Sequence, residues 1–317
     1  MTTAFDLRSL PVPVVQAGMG LVAGHELAAA VSEAGGLGTI AGVRAPISAE
    51  LAAARRLTGR PIAVNLLLPF VRPGDAEAAA AADVVVTFWG APRRLAGNTW
   101  IHQCGSVEEA KAAARAGADA VIAQGVEAGG HVRGTTPALE LLERIRAAVA
   151  IPVLLAGGIV DAQGVRAALD HGALAAVVGT RFLVSEESRA HAEYKRRCLE
   201  TDETVLTELF GLGGPDAPHR VIPNAATRRW LRHDERGPGW IRKANRALTR
   251  VVTVLPPAVE DRALRAQPPQ LPFLVPQPPT EADPENLADR RPLYAGVNVG
   301  RIADIPPAAE LVSSLTP

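Results

Sequence analysis

This 317-residue sequence predicts an α/β fold, a (β/α)8 TIM barrel with an inserted C-terminal lid or side domain. Three observations carry the prediction. Eight short apolar runs recur with helical stretches between them, the pattern of βαβ units and a parallel sheet. Most of the runs are continuous rather than alternating, as strands must be when helices cover one face and a packed interior fills the other. Three of the later runs lead into glycine, which places permissive backbone at strand carboxyl ends.

In order, the candidate strands are 12–16, 37–40, 61–66, 83–87, 99–102, 120–123, 152–156 and 174–178. The helices between them carry alanine-rich faces, for example 26–33, 48–57, 107–116 and 163–169. Ser106, with Glu109 three residues on, reads as a capping box at one helix start. One crossover is anomalous. The connection from Thr87 to Thr99 is too short for a normal helix, because a parallel crossover takes about a dozen residues or more. A missing or vestigial fourth helix is expected there.

After about Glu200 the character changes, with 14 of the 26 prolines falling between Pro215 and Pro292 and arginine becoming frequent. Segments 225–231 and 240–254 look helical, whereas 267–285 is too proline-rich for regular structure. The chain returns to a compact pattern at 294–300, and a final helix over 307–315 is expected to dock back on the barrel. The expected division is therefore a barrel from 1–205 and 292–317, and a Pro/Arg-rich lid or side domain over 206–291. The arginines read as a solvated face with Trp230 and Trp240 packed beneath it.

Composition narrows the function classes. Apolar residues make up 48% and charged residues 21%, which excludes wholesale disorder. Lys plus Arg equals Asp plus Glu at 33 each, so no global field draws the chain to nucleic acid or an anionic membrane. Cys104 and Cys198 are far apart without a CxxC, against both a disulfide framework and a zinc site. With no basic-then-apolar leader pattern and no apolar run of about 18 residues, a cytoplasmic small-molecule enzyme is expected.

The densest chemistry lies in 124–134, directly after the sixth strand. Gly129 and Gly130 precede His131 and Gly134 follows it, so the backbone can approach a planar ligand and present the imidazole. His131 could act as a general base, as a charge-stabilising donor, or as a hydrogen-bonded loop residue. The last two strands end in Ala156-Gly157-Gly158 and Gly179-Thr180. In this fold a phosphate often sits at the loops after strands seven and eight, where backbone N–H groups at helix starts receive it. A plain tight turn is the alternative for either loop alone. The first strand runs into Ala17-Gly18-Met19-Gly20, small enough to lay a flat ring against the backbone, or simply a glycine turn. Asn65 is an amide among apolar neighbours and needs a partner, from a ligand or from a loop carbonyl.

The other histidines, His25, His102, His171, His191, His219 and His233, have no metal-ligand spacing, and surface or helix-end placement is expected of each. His102 and Gln103 are the only other pair expected to face the site. Cys104 reads as a small buried residue rather than a nucleophile.

Taken together, PVVQAGMG, GGLGTI, AVNLLLP, GADAVIAQGVEAGGHVRG, IPVLLAGGI and VVGTRF resemble the nitronate monooxygenase family, formerly 2-nitropropane dioxygenases. The resemblance covers about the first 200 residues and resumes at YAGVNVG. It implies a barrel binding FMN without covalent attachment. Ala17, Gly18, Met19 and Asn65 would contact the flavin, with Gln124, Gly129, Gly130 and Ala156 beside it, and Gly157, Gly158, Gly179 and Thr180 would hold its phosphate. His131 would be the catalytic residue, no metal would be needed, and alkyl nitronates would be oxidised by O2 to carbonyl compounds and nitrite. The implied partners are a nitronate or nitroalkane and O2, with no nucleic acid and no membrane, and a homodimer is allowed. Two features depart from the family pattern: the shortened connection from Phe88 to Asn98, which bears on the wall of the site near Trp89, and the proline- and arginine-rich segment from Pro215 to Pro292, the unit that normally covers the site, which bears on substrate identity. Two alternatives stay open: a flavin-dependent enoyl-acyl-carrier-protein reductase using NAD(P)H, and a non-catalytic flavin-binding sensor.

Overall fold

The computed structural model describes residues 5–43, 45–96, 99–210, 218–252 and 276–317. Its main sheet begins with β1 (Val14–Gln16), β2 (Gly38–Ala41), β3 (Ile62–Leu67), β4 (Val84–Phe88), β5 (Thr99–Cys104) and β6 (Ala120–Gln124). A short β7 (Gly130–His131) stands outside it, and β8 (Val153–Ala156) and β9 (Ala176–Val178) complete it. All pairings are parallel, in the order β1-β9-β8-β6-β5-β4-β3-β2, and a parallel bridge from Val15 to Leu37 closes the ring. All eight expected strands form, with ends shifted by up to two residues.

Strand alternation explains why the runs read as continuous. Val84 and Val86, Ala120 and Ile122, and Ala175 and Val177 belong to one buried cluster that fills the barrel interior. The opposite parity, including Val121, Ala123, Val153, Leu155 and Ala176, packs against helix residues such as Leu141, Leu142 and Val165. Both faces are buried, so both parities are apolar. Each fully buried Val or Leu contributes about 1.5–3 kcal/mol relative to exposure.

The barrel helices are α1 (His25–Glu33), α2 (Ile47–Leu57), the one-turn α3 (Asp75–Ala79), α4 (Val107–Arg115), α5 (Ala138–Ala148) and α6 (Ala162–Asp170). Among the described residues no helix separates β4 from β5, as the short connection requires. The expected capping box at α4 forms by half. The Ser106 hydroxyl accepts the Glu109 N–H at 3.2 Å, but the Glu109 carboxylate accepts from Gly105 N at 2.7 Å and binds Arg133 instead of returning to Ser106. Asp161 caps α6 by accepting from Gly164 N at 2.9 Å.

Beyond the barrel strands come α7 (Thr180–Leu183) and α8 (Ala192–Leu199), then β10 (Val205–Thr207), β11 (His219–Val221), α9 (Ala225–Trp230) and α10 (Gly239–Val252). β10, β11 and β7 form a three-stranded antiparallel sheet, which was not legible in two- and three-residue strands. Asn224 starts α9 with a reciprocal capping box to Thr227. The expected helical residues 253–254 and the irregular residues 267–275 lie outside the described residues. A 3-10 turn, Glu285–Asp289, begins at the end of the stretch expected to be irregular. The Arg229 guanidinium lies over the Trp230 ring, and Trp240, 53% exposed, meets Trp230 with ring planes at 71°.

The last helix, α11 (Ala308–Leu315), does dock on the barrel. Leu311, Val312 and Leu315 join the cluster that holds Leu27 and Val31 of α1 and Val165 and Ala168 of α6. Among the described residues no helix is long and apolar enough to cross a membrane, and no group of His, Cys, Asp and Glu could hold a metal ion.

Candidate functional site

Parallel register sets the level of the site. Gln124 lies opposite Ala156, Gln16 opposite Val178 and Phe88 opposite Gln103, so these strands end together and their loops converge at the carboxyl face. A cavity of about 260 Å³ opens there. Ala17, Gly18, Met19 and Asn65 line one part of it, and Gln124, Gly129, Gly130 and His131 another. Ala156, Gly157, Gly158, Gly179 and Thr180 also line it. The expected catalytic histidine and the expected flavin and phosphate residues therefore reach the same space.

The glycines earn their places by geometry. A Cβ on Gly18 would stand 2.5 Å from the Asn65 Cβ, so the first loop packs directly on the Asn65 side chain. Gly129 is pressed against the Ala295–Gly296 backbone, where a Cβ would come within 2.6 Å. Gly157 and Gly158 both hold positive φ, +129° and +69°, which a side chain resists. Among the described residues the N–H groups of Gly158, Gly179 and Thr180 find no acceptor, although they border the cavity. Thr180 opens α7, where orphan N–H groups are expected.

A distant segment braces these loops. Gly296 N donates to the Thr180 hydroxyl at 3.0 Å, and Asn298 Nδ2 donates to Gly158 O at 2.6 Å. Tyr294, Gly296 and Asn298 line the cavity. None was singled out as a site residue, although YAGVNVG was the available signal. The apolar walls from Leu21, Phe70 and Phe88 were not legible at all, since a phenylalanine at a strand end looks like any core residue.

His131 is not on a free loop. Its two-residue strand β7 pairs antiparallel with β11, and His131 faces His219 in register. Gln124 fixes the strand, with Nε2 donating to His131 O at 2.8 Å and Oε1 accepting from Arg133 N at 3.3 Å. That amide is thereby engaged with backbone while still lining the cavity. Three rings surround the imidazole: Trp89 at 5.5 Å, His219 at 5.4 Å and Tyr294 at 5.6 Å between centroids. Nε2 of His131 is buried with no hydrogen-bond partner among the described residues. Burial in this apolar cage pushes the imidazole down to about 4, so it is neutral at neutral pH.

The remaining candidates sort by strand parity. Gln103 lines the cavity, whereas His102 points the other way, is buried, and meets Thr87 Oγ1 through Nδ1 at 2.8 Å. Thr87 Oγ1 also accepts from Trp100 Nε1 at 2.7 Å, so its own proton is free for His102. His219, expected at the surface, is fully buried, and its Nε2 accepts from Phe210 N at 3.2 Å. Cys104 is a buried thiol whose ionisation burial pushes up, which removes it as a nucleophile.

Comparisons agree with this architecture. A protein-family model for nitronate monooxygenase matches residues 2–100 and 92–317. The chain is 34% identical over 291 residues to a nitronate monooxygenase of Pseudomonas aeruginosa, covering 71% of this chain and 82% of that one. It is 36% identical over 242 residues to a Rhodococcus jostii protein named (3aS,4S,5R,7aS)-5-hydroxy-7a-methyl-1-oxo-octahydro-1H-indene-4-carboxyl-CoA dehydrogenase, covering 70% of this chain and 65% of that relative, just under two thirds of its length. Among solved structures, FabK from Thermotoga maritima superposes with a TM-score of 0.76 at 29% identity, covering 98% and 93% of the two chains. Nitroalkane oxidase from Streptomyces ansochromogenes gives 0.73 at 31% identity, covering 96% and 95%. The chain belongs to the nitronate monooxygenase family of oxidoreductases.

Proposed function

We propose that this chain binds FMN in the carboxyl-face cavity and oxidises alkyl nitronates with O2 to carbonyl compounds and nitrite. The observation that carries this reading is one cavity bordered both by the N–H groups of Gly158, Gly179 and Thr180 and by His131, whose Nε2, like those N–H groups, has no partner among the described residues.

The residues present fit FMN. Orphan N–H groups at the last two loops suit a phosphate dianion, and the Thr180 hydroxyl, accepting from Gly296, keeps its own proton to donate. Small residues at Ala17 and Gly18, with Met19 and Asn65, leave a slot for a flat ring, and Gly129, Gly130 and Ala156 keep the opposite side low. FMN, when bound, supplies the electron acceptance and the reaction with O2 that no side chain here can supply.

The chain's own residues position the substrate and exclude water. A neutral His131 meets the nitronate anion as a hydrogen-bond donor in an apolar cage, where such a bond is worth more than in water. Abstracting the α-proton of a neutral nitroalkane would create an imidazolium in that same cage, which burial disfavours. The nitronate is therefore the preferred substrate form. Pro276, Gln277 and Pro278 line the cavity, which supports a covering role for that stretch of the chain.

The test is aerobic turnover of propionate 3-nitronate by the FMN-loaded protein, with nitrite and carbonyl product measured together. Stoichiometric nitrite supports the reading, and a yellow protein that releases none removes it.

A second reading keeps the flavin and changes the substrate, to a flavin-dependent enoyl-acyl-carrier-protein reductase using NAD(P)H. The exposed Arg228, Arg229, Arg232 and Lys243 of the α9–α10 region would complement an anionic carrier, and a relative named for a coenzyme A thioester points the same way. Fast flavin reduction by NADH or NADPH would favour it. Full FMN occupancy without any turnover would instead indicate a sensor.

A further inference from the structure

Trp89 is the only non-glycine residue with positive φ among the described residues, at +69°. With Gly90 at +97° it turns the chain sharply as β4 ends, which the helix-free connection to β5 demands. A left-handed conformation is a poor home for a bulky side chain, and glycine at position 89 would take it with less strain. The contacts of the indole account for its presence. The indole and the His131 imidazole meet edge-to-face with planes at 89°, and Phe88 packs against the indole at 5.2 Å with planes at 77°. The Arg133 guanidinium carbon sits 4.9 Å from its ring centre, and Glu109 holds that guanidinium through Nε and Nη2. Trp89 is not among the residues lining the cavity, so it reaches His131 without facing a ligand.

We propose that Trp89 is a positioning residue for His131, held in a left-handed turn and clamped by Arg133 so that its indole fixes the imidazole rotamer at the cavity wall. The inference rests on His131 being the working residue of the proposed reaction. Backbone pinning by Gln124 locates the strand but leaves the ring free about its side-chain torsions. Trp89, His219 and Tyr294 are the groups that face the ring among the described residues, and Arg133 stands behind Trp89. Of the three, Trp89 comes from the connection that is short in this chain.

The experiment uses the full-length, FMN-loaded protein with Trp89→Gly, which keeps the turn and removes the indole, and Trp89→Phe, which keeps an aromatic edge. Steady-state kinetics with propionate 3-nitronate and NMR titration of the His131 imidazole are read in parallel. Trp89→Gly is expected to lower kcat about 10-fold with KM changed less than about 3-fold, and to raise the His131 titration point toward the ordinary histidine value as water enters. Trp89→Phe should recover most of both. The double variant with His131→Ala should lose no more than His131→Ala alone, because the two act as a unit. Unchanged kcat and unchanged titration in Trp89→Gly overturn the proposal. If the protein turns over no nitronate, the functional reading fails separately, and the titration alone decides whether Trp89 holds His131. Should Trp89→Gly not fold, Arg133→Gln loosens the clamp from its other side, and an unmoved His131 titration and kcat there also overturn it.

Discussion

The backbone N–H of Gly296 donates to the Thr180 hydroxyl across 3.0 Å, joining residues 116 positions apart at the edge of the cavity. The bond lets the 294–300 segment set the hydroxyl's orientation and leaves its proton free to donate, in the proposed complex to the FMN phosphate. Replacing Thr180 with Val keeps the shape and removes both functions. Hydrogen bonds to charged groups are worth about 1.5–3 kcal/mol, so the FMN dissociation constant should rise about 10-fold or more. Flavin fluorescence titration measures it, and an unchanged constant would detach Thr180 from the phosphate.

Gly129 illustrates how closely two segments of the site approach. A methyl group there would lie 2.6 Å from the Ala295 carbonyl carbon, which is backbone and cannot swing aside. Gly129→Ala should cost about 1–3 kcal/mol, the scale of overpacking, and should loosen the 294–300 segment from the histidine strand. Thermal unfolding checks this. An unshifted transition would show that the approach has slack.

His102 and His131 are both held down near 4 by burial, against an ordinary value of 6.5. The unfolded chain binds protons at these sites between about pH 6.5 and 4 while the folded chain does not, so stability falls as pH drops through that window. Each group contributes at most about 3 kcal/mol over the full span. Urea unfolding at about pH 7 and about pH 5 should show the loss, and His102→Asn should flatten it. A pH-independent midpoint would mean that the imidazoles are not shielded as their packing indicates.

Much of this was legible in the sequence because its signals are local. Continuous apolar runs gave the eight barrel strands, and glycines at the ends of β6, β8 and β9 marked the loops that line the cavity. Strand parity separates Gln103, which faces the cavity, from His102, which does not, but a one-residue difference cannot be assigned without knowing the register. The β7–β11 pairing was hidden for another reason. It joins His131 to His219 over 88 positions through strands of two and three residues, too short for any periodicity to show. The same pairing buries His219, which by type alone belongs at the surface.

Removing the imidazole separates binding from chemistry. His131→Ala should retain FMN within about twofold, since the phosphate loops and the Ala17–Met19 slot are untouched, while nitronate turnover should fall about 10²-fold or more. Parallel flavin occupancy and nitrite assays read both. Loss of flavin would reassign His131 to the cofactor site, and undiminished nitrite release would remove it from the reaction.

In the proposed reaction a nitronate, not a nicotinamide, delivers electrons to a flavin held in this cavity. Anaerobic stopped-flow absorbance of the FMN-loaded protein tests it, with propionate 3-nitronate in one syringe and NADH or NADPH in a parallel run. Flavin bleaching by the nitronate alone, reversed on admitting O2 with nitrite released, is the predicted result. Bleaching by the nicotinamide with none from the nitronate would contradict it and assign the barrel to a reductase.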